Sequence, residues 1–184
     1  EIPAGHKLRL AVSTAYFPLI WPAPKKAKLT LDLASSCLTI PCHDRSATLV
    51  RDLGQGYVCP VKKTKKIRPE KHERLIQIDA KDGLVTTSIN DDFGEFTFLE
   101  HNLTVGESCN ETHSILPDDP YSAMSECSWH SNQSRPGWNV NVYTQLKVTC
   151  DAEYFYLNSS LKALENGVQI HHHKSQEKLP RGFS

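Results

Sequence analysis

Apolar and polar residues alternate along much of this chain, and the alternation is clearest between residues 138 and 150. In that segment one parity is occupied by Trp138, Val140, Val142, Leu146, Val148 and Cys150. Successive side chains of a strand point to opposite faces, so a period of two indicates a strand with one buried face. About ten segments carry strand signals of this kind, and none has a convincing helical period. The pattern predicts an all-β protein built as an antiparallel β-sandwich.

The strand signals form two groups that are separated by an irregular stretch. Residues 7–13, 28–33 and 37–40 alternate in the first group, and the signals resume at Glu73. Between them, residues 42–71 combine glycines, prolines and a basic run without periodicity, which is typical of a solvated connection. We therefore predict three parts: residues 1–41, an irregular connection over 42–71, and a β-rich region over 72–184.

Charge and composition argue against two classes of partner. The 184 residues include 21 basic and 21 acidic side chains, a balance that favours neither nucleic acid nor an acidic membrane surface. No apolar run approaches the roughly 18 residues that a membrane-spanning helix requires. The six cysteines are irregularly spaced in a chain long enough to build a core without disulfides. We expect free, mostly buried thiols, with disulfides as the alternative.

The sequence contains no recognisable catalytic constellation. It lacks the Gly-x-Ser-x-Gly nucleophile elbow of α/β-hydrolases, and nothing in the sequence positions Ser108, His113 and Asp118 as a triad. On a strand, His171 and His173 would share a face and offer two metal ligands, but no partner motif supplies a third and a fourth. We interpret them as part of a solvated strand face. We predict no catalytic residue, no metal site and no cofactor.

Three aromatic side chains near the N-terminus are the candidate binding residues. Tyr16, Phe17 and Trp21 lie in a proline-rich segment directly after the first strand signal. Such residues can form a sugar-stacking platform, pack in a core, or make a contact between domains. The residues themselves favour packing or an interface over sugar binding.

Two sets of motifs resemble a known family. The first is Gly5-His6-x-Leu8-Arg9-Leu10-Ala11-x-Ser13, followed by Tyr16-Phe17-Pro18 and Trp21-Pro22. It is similar to the end of the C-terminal jelly-roll of X-Pro dipeptidyl-peptidases and of the cocaine-esterase-like CocE/NonD hydrolases. The second resembles a C-terminal extension found in a subset of those hydrolases, and comprises His101-x-Leu103-x-x-Gly106, Ser114-Ile115-x-x-Asp118-Asp119-Pro120-x-Ser122-Ala123, Trp129, Trp138 and Leu179-Pro180-Arg181.

The resemblance implies a role beside a catalytic domain. In that family an α/β-hydrolase domain carries a Ser-Asp-His triad, and the jelly-roll packs against it and helps to wall the substrate pocket. No position here matches the nucleophile, the acid or the base. The resemblance thus implies the non-catalytic C-terminal portion of such a serine hydrolase: a jelly-roll-like, galactose-binding-like sandwich, incomplete at its N-terminus, followed by a second β-rich extension.

The resemblance also implies what the chain would bind. Its partner would be the hydrolase domain of the same polypeptide, with a homo-oligomer left open, and Tyr16, Phe17 and Trp21 would form an interdomain contact or a pocket wall. The alternative is a stand-alone carbohydrate- or protein-binding β-sandwich.

Overall fold

The computed structural model describes residues 2–25, 28–41 and 53–182. In this part of the chain every regular element is a strand. The eight strands are β1 (Thr64–Arg68), β2 (Lys71–Ile78), β3 (Val85–Phe98), β4 (Leu103–Leu116), β5 (Asp119–Arg135), β6 (Trp138–Cys150), β7 (Tyr154–Glu165) and β8 (Val168–Pro180). They form one sheet in which every pairing is antiparallel. The predicted all-β, antiparallel class is confirmed, and the sheet is consistent with a jelly-roll-like fold.

The sheet is a simple meander with a divided edge. From β3 to β8 each strand pairs with the next along the chain, while β1 and β2 pair with the two halves of β3. The division falls at Gly94, where β3 bulges and a Cβ atom would lie 2.8 Å from the carbonyl oxygen of Arg68. Gly94 also has a φ of +80°, which favours glycine on backbone grounds. A glycine is therefore required for both edge strands to pair with β3.

Register separates the sheet into two different faces. One face, called here the polar face, carries a row across six strands: Asn90, Asn110, Ser128, Gln145, Ser160 and Lys174. The opposite face, called here the aromatic face, carries Cys109, Trp129, Val148 and Phe155. The alternation predicted for residues 138–150 accounts for this division, because strand β6 places its apolar parity on the aromatic face.

The first strand signals do not form strands. In residues 2–25 and 28–41 the structure has only an isolated bridge between Tyr16 and Ile20. The strands predicted at 7–13, 28–33 and 37–40 are thus absent, because a strand needs a neighbour for its backbone groups and these segments have none among the residues that the structure describes. Their large apolar side chains are correspondingly exposed, from 48% at Ile40 to 82% at Leu33.

The predicted irregular connection also needs a correction. Residues 64–68, inside the predicted connection, form strand β1. Strand β2 begins at Lys71, which was predicted to be the last residue of the connection. Lysine and arginine dominate β1, and charged side chains are common on edge strands, so its sequence shows no apolar alternation. Residues 42–52 of the connection lie outside the described residues, and the division into three parts stays a prediction.

The sheet has very little buried core of its own. Among the described residues, the buried hydrophobic side chains are Cys109, Ala123 and Cys150. The accessible surface is 14851 Å², whereas a compact monomer of this size exposes about 8,900 Å². Contacts between strands join only neighbours in the sheet. Within the described residues, the sheet therefore leaves much of its apolar surface exposed.

Candidate functional site

The N-terminal aromatic residues pack against the aromatic face of the sheet. The Phe17 and Trp21 rings meet edge to face with centroids 5.3 Å apart, and the Trp21 ring meets Phe155 of β7 at 5.5 Å. The Trp21 indole N–H donates to the Sγ atom of Cys150 over 3.3 Å, and Phe17 lies edge-on to the His113 ring at 6.2 Å. Phe17 and Trp21 therefore anchor the N-terminal segment to β4, β6 and β7. Tyr16 is 61% exposed.

Arg181 also holds the N-terminal segment against the sheet. It is 5% exposed, and its guanidinium donates to the carbonyl oxygens of Asp151, at 2.6 Å, and of Pro22. The guanidinium carbon also lies 4.8 Å from the centroid of the Phe155 ring, in cation–π geometry. A second tie comes from Tyr121, whose hydroxyl donates to the Pro24 carbonyl over 2.6 Å. Within the motif Leu179-Pro180-Arg181, Arg181 thus has a physical role, because it holds the Pro22 carbonyl.

A cleft of 330 Å³ lies beside this anchor. Its lining joins the N-terminal segment at Thr14 and Pro22 to the β4–β5 hairpin at Ile115, Asp118 and Pro120. None of the three predicted binding residues lines it. The structure brings Phe17 and Trp21 together and leaves Tyr16 at the surface, and a binding role for the three residues stays a prediction.

A second cluster on the aromatic face was not predicted from the sequence. Cys109, Glu111 and His113 alternate along β4, and the β4–β5 register brings Cys127 and Ser125 beside them. The Sγ atoms of Cys109 and Cys127 are 3.9 Å apart, and the Cys109 Sγ is 3.6 Å from Glu111 Oε1. His113 links Glu111 Oε2 at 3.1 Å, through Nε2, to the Ser125 hydroxyl at 2.8 Å, through Nδ1. The spacing Cys-x-Glu-x-His on a strand was the available signal.

The electrostatics of this cluster oppose its use as a nucleophile. Burial, followed by the proximity of Cys127 and Glu111, raises the pKa of Cys109 to about 12. A thiol that stays neutral near pH 7 is a weak nucleophile. The residues considered for a triad are not assembled either, since Ser108 and His113 have opposite parity and lie on opposite faces of β4.

The five described cysteines, Cys37, Cys59, Cys109, Cys127 and Cys150, are free thiols as expected, but only Cys109 and Cys150 are buried, so the expectation of mostly buried thiols is not met. Cys37 and Cys59 are exposed. Cys42 lies outside the described residues. His171 and His173 lie on one face of β8, and both are exposed.

An ion pair fixes the edge strand next to the cluster. Arg74 of β2 donates to both carboxylate oxygens of Asp91 at 2.7 Å, and His72 Nδ1 is 2.7 Å from the same carboxylate. The Arg74 contact first, and then His72, lower the pKa of Asp91 from 3.8 to about 2. The Phe93 ring packs edge-on against His72 and stacks on Trp129 at 5.7 Å, which continues the aromatic face across β5.

The Asp91 ion pair predicts an acid-dependent loss of stability. A carboxyl with a depressed folded-state pKa stabilises the fold above its unfolded value of 3.8, and the stabilisation is lost as the pH falls towards 2. We expect Asp91→Asn to reduce the fall in unfolding free energy over this pH range, measured by urea titration at successive pH values. Gln77→Ala, at an exposed and non-ionisable position of β2, is the control and should leave the slope unchanged. Identical slopes for Asp91→Asn and the unaltered chain would contradict the prediction.

Comparison with known proteins gives a family match in the first part of the chain. Residues 1–73 match the X-Pro dipeptidyl-peptidase C-terminal non-catalytic domain. The predicted resemblance to this family is confirmed over those 73 of the chain's 184 residues. The match includes the aromatic anchor and ends just inside β2. No curated protein and no solved structure matches the chain significantly.

The described residues contain no helix that is long and apolar enough to cross a membrane.

Proposed function

We propose that this chain is the non-catalytic C-terminal portion of a CocE/NonD-type serine hydrolase, related to X-Pro dipeptidyl-peptidases. The whole enzyme would cleave a peptide, amide or ester bond through an acyl-enzyme intermediate. The observation that carries the proposal is the match of residues 1–73 to the non-catalytic domain of that family. In this proposal the catalytic Ser-Asp-His triad belongs to an α/β-hydrolase domain of the same polypeptide.

The uncovered apolar surface supports packing against such a domain. Leu8, Leu10 and Val12 occupy alternate positions in the matched segment and are 53–67% exposed. Leu29, Leu31 and Leu33 repeat the pattern, and Leu33 is 82% exposed. Contiguous exposed apolar residues mark interaction surfaces in soluble proteins. Strand pairing of these two segments with the rest of a jelly-roll, and contact with the hydrolase domain, would bury them.

Hydrogen exchange can test this packing directly. We expect amides of residues 7–13 and 28–33 to exchange at nearly unprotected rates in the 184-residue chain and to be protected in the full-length enzyme. Residues 138–150, which pair on both sides within the chain, should be protected in both proteins and serve as the internal control. Equal exchange of residues 7–13 in the two proteins would contradict the packing proposal.

The isolated chain should have no hydrolase activity. We expect no turnover of p-nitrophenyl esters or of X-Pro p-nitroanilides above the buffer rate, because Ser108 and His113 lie on opposite faces of β4. Turnover that disappears in Ser108→Ala would refute this prediction and the non-catalytic assignment with it.

The alternative of a stand-alone sugar- or protein-binding sandwich has less support. A stacking platform needs exposed rings, but Phe17 and Trp21 are partly buried against His113 and Phe155. A glycan array separates the two candidates: saturable binding that is lost in Tyr16→Ala would favour the sugar-binding protein.

A further inference from the structure

We propose that Cys109, Cys127 and Glu111 form a binding site for a thiophilic divalent cation of the zinc class. This cluster is separate from the surface invoked for the hydrolase domain, and the proposal does not depend on the parent enzyme.

The distances between the ligand atoms fit one tetrahedral ion. The sulfur atoms are 3.9 Å apart, the Cys109 Sγ and Glu111 Oε1 are 3.6 Å apart, and all three ligand atoms lie within 4.8 Å of one another. With Zn–S bonds of about 2.3 Å and Zn–O bonds of about 2.0 Å, tetrahedral angles place two sulfurs about 3.8 Å apart and a sulfur and an oxygen about 3.5 Å apart. The side chains therefore need little movement to share an ion.

The strand register favours a shared ion over a disulfide. Cys109 is directly opposite Trp129, and Cys127 is directly opposite Glu111, so the two cysteines are diagonal neighbours. Diagonal positions in an antiparallel pair are about 7–8 Å apart, whereas a disulfide requires Cα atoms within about 6.8 Å. A metal ion joins the two sulfur atoms through two metal–sulfur bonds in place of one S–S bond, so it can link cysteines whose Cα atoms are too far apart for a disulfide.

His113 orients the carboxylate ligand. Its Nε2 atom lies 3.1 Å from Glu111 Oε2, and its Nδ1 atom lies 2.8 Å from the Ser125 hydroxyl. The His113 side chain is 12% exposed and contacts the Phe17 ring, so its position is fixed from two sides. This leaves Oε1 of Glu111 directed at Cys109. Outer partners of this kind hold metal ligands in place.

The site has an entry route and a balanced reaction. Cys109 is 1% exposed, but the Glu111 side chain is 32% exposed and Cys127 is half-buried, so an ion can approach from their side. Binding converts two thiols and one M²⁺ ion into a dithiolate complex and releases two protons to solvent. The carboxylate supplies the third ligand, and a water molecule from solvent would complete four-coordination.

Cobalt provides a direct test in the full 184-residue chain. We expect the reduced, metal-free protein to bind one equivalent of Co²⁺ with thiolate-to-cobalt charge-transfer absorption, and Zn²⁺ to displace the Co²⁺. His113→Gln removes an outer partner of the site and should weaken Co²⁺ binding by about 10–100-fold. Cys127→Ser removes a ligand and should weaken Co²⁺ binding by more than about 100-fold. Glu111→Gln, which preserves shape, provides a second ligand variant if the serine variant fails to fold by circular dichroism.

Two controls separate this site from other metal-binding groups. Cys59→Ser removes an exposed thiol, and the double variant His171→Ala with His173→Ala removes the exposed histidines of β8. Both should retain the full absorption. Absence of thiolate absorption in the reduced chain, or absorption that is unchanged in Cys127→Ser, would overturn the proposal.

Discussion

Trp21→Ala is expected to destabilise the chain by about 3 kcal/mol, at the low end of the range for truncating a core aromatic residue, because Trp21 is only partly buried. The indole contacts Phe17 and Phe155 and donates a hydrogen bond to Cys150, so truncation leaves a cavity between the N-terminal segment and the sheet. Urea unfolding followed by circular dichroism measures the change. Cys150 is 9% exposed. In a background in which Cys37 and Cys59 are replaced by serine, its thiol should react faster with a thiol reagent in the Trp21→Ala variant than in the chain that keeps Trp21.

Matched variants make this prediction specific to the anchor. Trp21→Phe keeps the aromatic contact and should cost less than the alanine variant. Tyr16→Ala alters a residue that is 61% exposed, and should change stability by no more than about 0.5 kcal/mol. Equal destabilisation by Tyr16→Ala and Trp21→Ala would show that the segment does not pack as described.

Arg181→Ala is expected to cost about 3 kcal/mol and to release the N-terminal segment. The guanidinium donates charge-assisted hydrogen bonds to the carbonyl oxygens of Asp151 and Pro22, and each such bond contributes about 1.5–3 kcal/mol. Its loss also removes the cation–π contact with Phe155. The measurement is limited proteolysis, with cleavage near residues 17–24 accelerated before the sheet unfolds.

Two arginine variants control for charge and for chain position. Arg181→Lys keeps the charge but lacks the planar guanidinium that reaches both carbonyl oxygens. We therefore expect a loss of stability between those of the unaltered chain and Arg181→Ala. Arg135→Ala removes an exposed arginine at the far end of β5 and should leave the cleavage pattern unchanged. A cleavage pattern of Arg181→Ala that matches that of the unaltered chain would show that Arg181 does not hold the N-terminal segment.

The periodic parts of the fold follow from the sequence because local sterics determine them. Residues 138–150 were predicted as a strand with one apolar face, and β6 has those bounds. The Asn166-Gly167 pair is typical of a hairpin turn, and both residues have positive φ, which asparagine and glycine tolerate best. Each of these predictions depends on neighbouring residues alone.

The remaining features depend on partners that are distant in sequence. The alternation at residues 7–13 describes a strand that would be half-buried, but the described chain provides no neighbouring strand to pair with it. Conversely, β1 forms without apolar alternation because β3 offers a free edge. The thiol–carboxylate cluster depends on the β4–β5 register, which places Cys127 opposite Glu111 and cannot be read from either strand separately.

The most direct test of the central claim is the reading frame upstream of residue 1 in the source gene. A non-catalytic C-terminal portion of a CocE/NonD-type hydrolase should continue upstream in frame into an α/β-hydrolase region. That region should carry a Gly-x-Ser-x-Gly motif between a strand and a helix, with the aspartate and histidine of the triad following in order. A frame that contains no such region would contradict the claim.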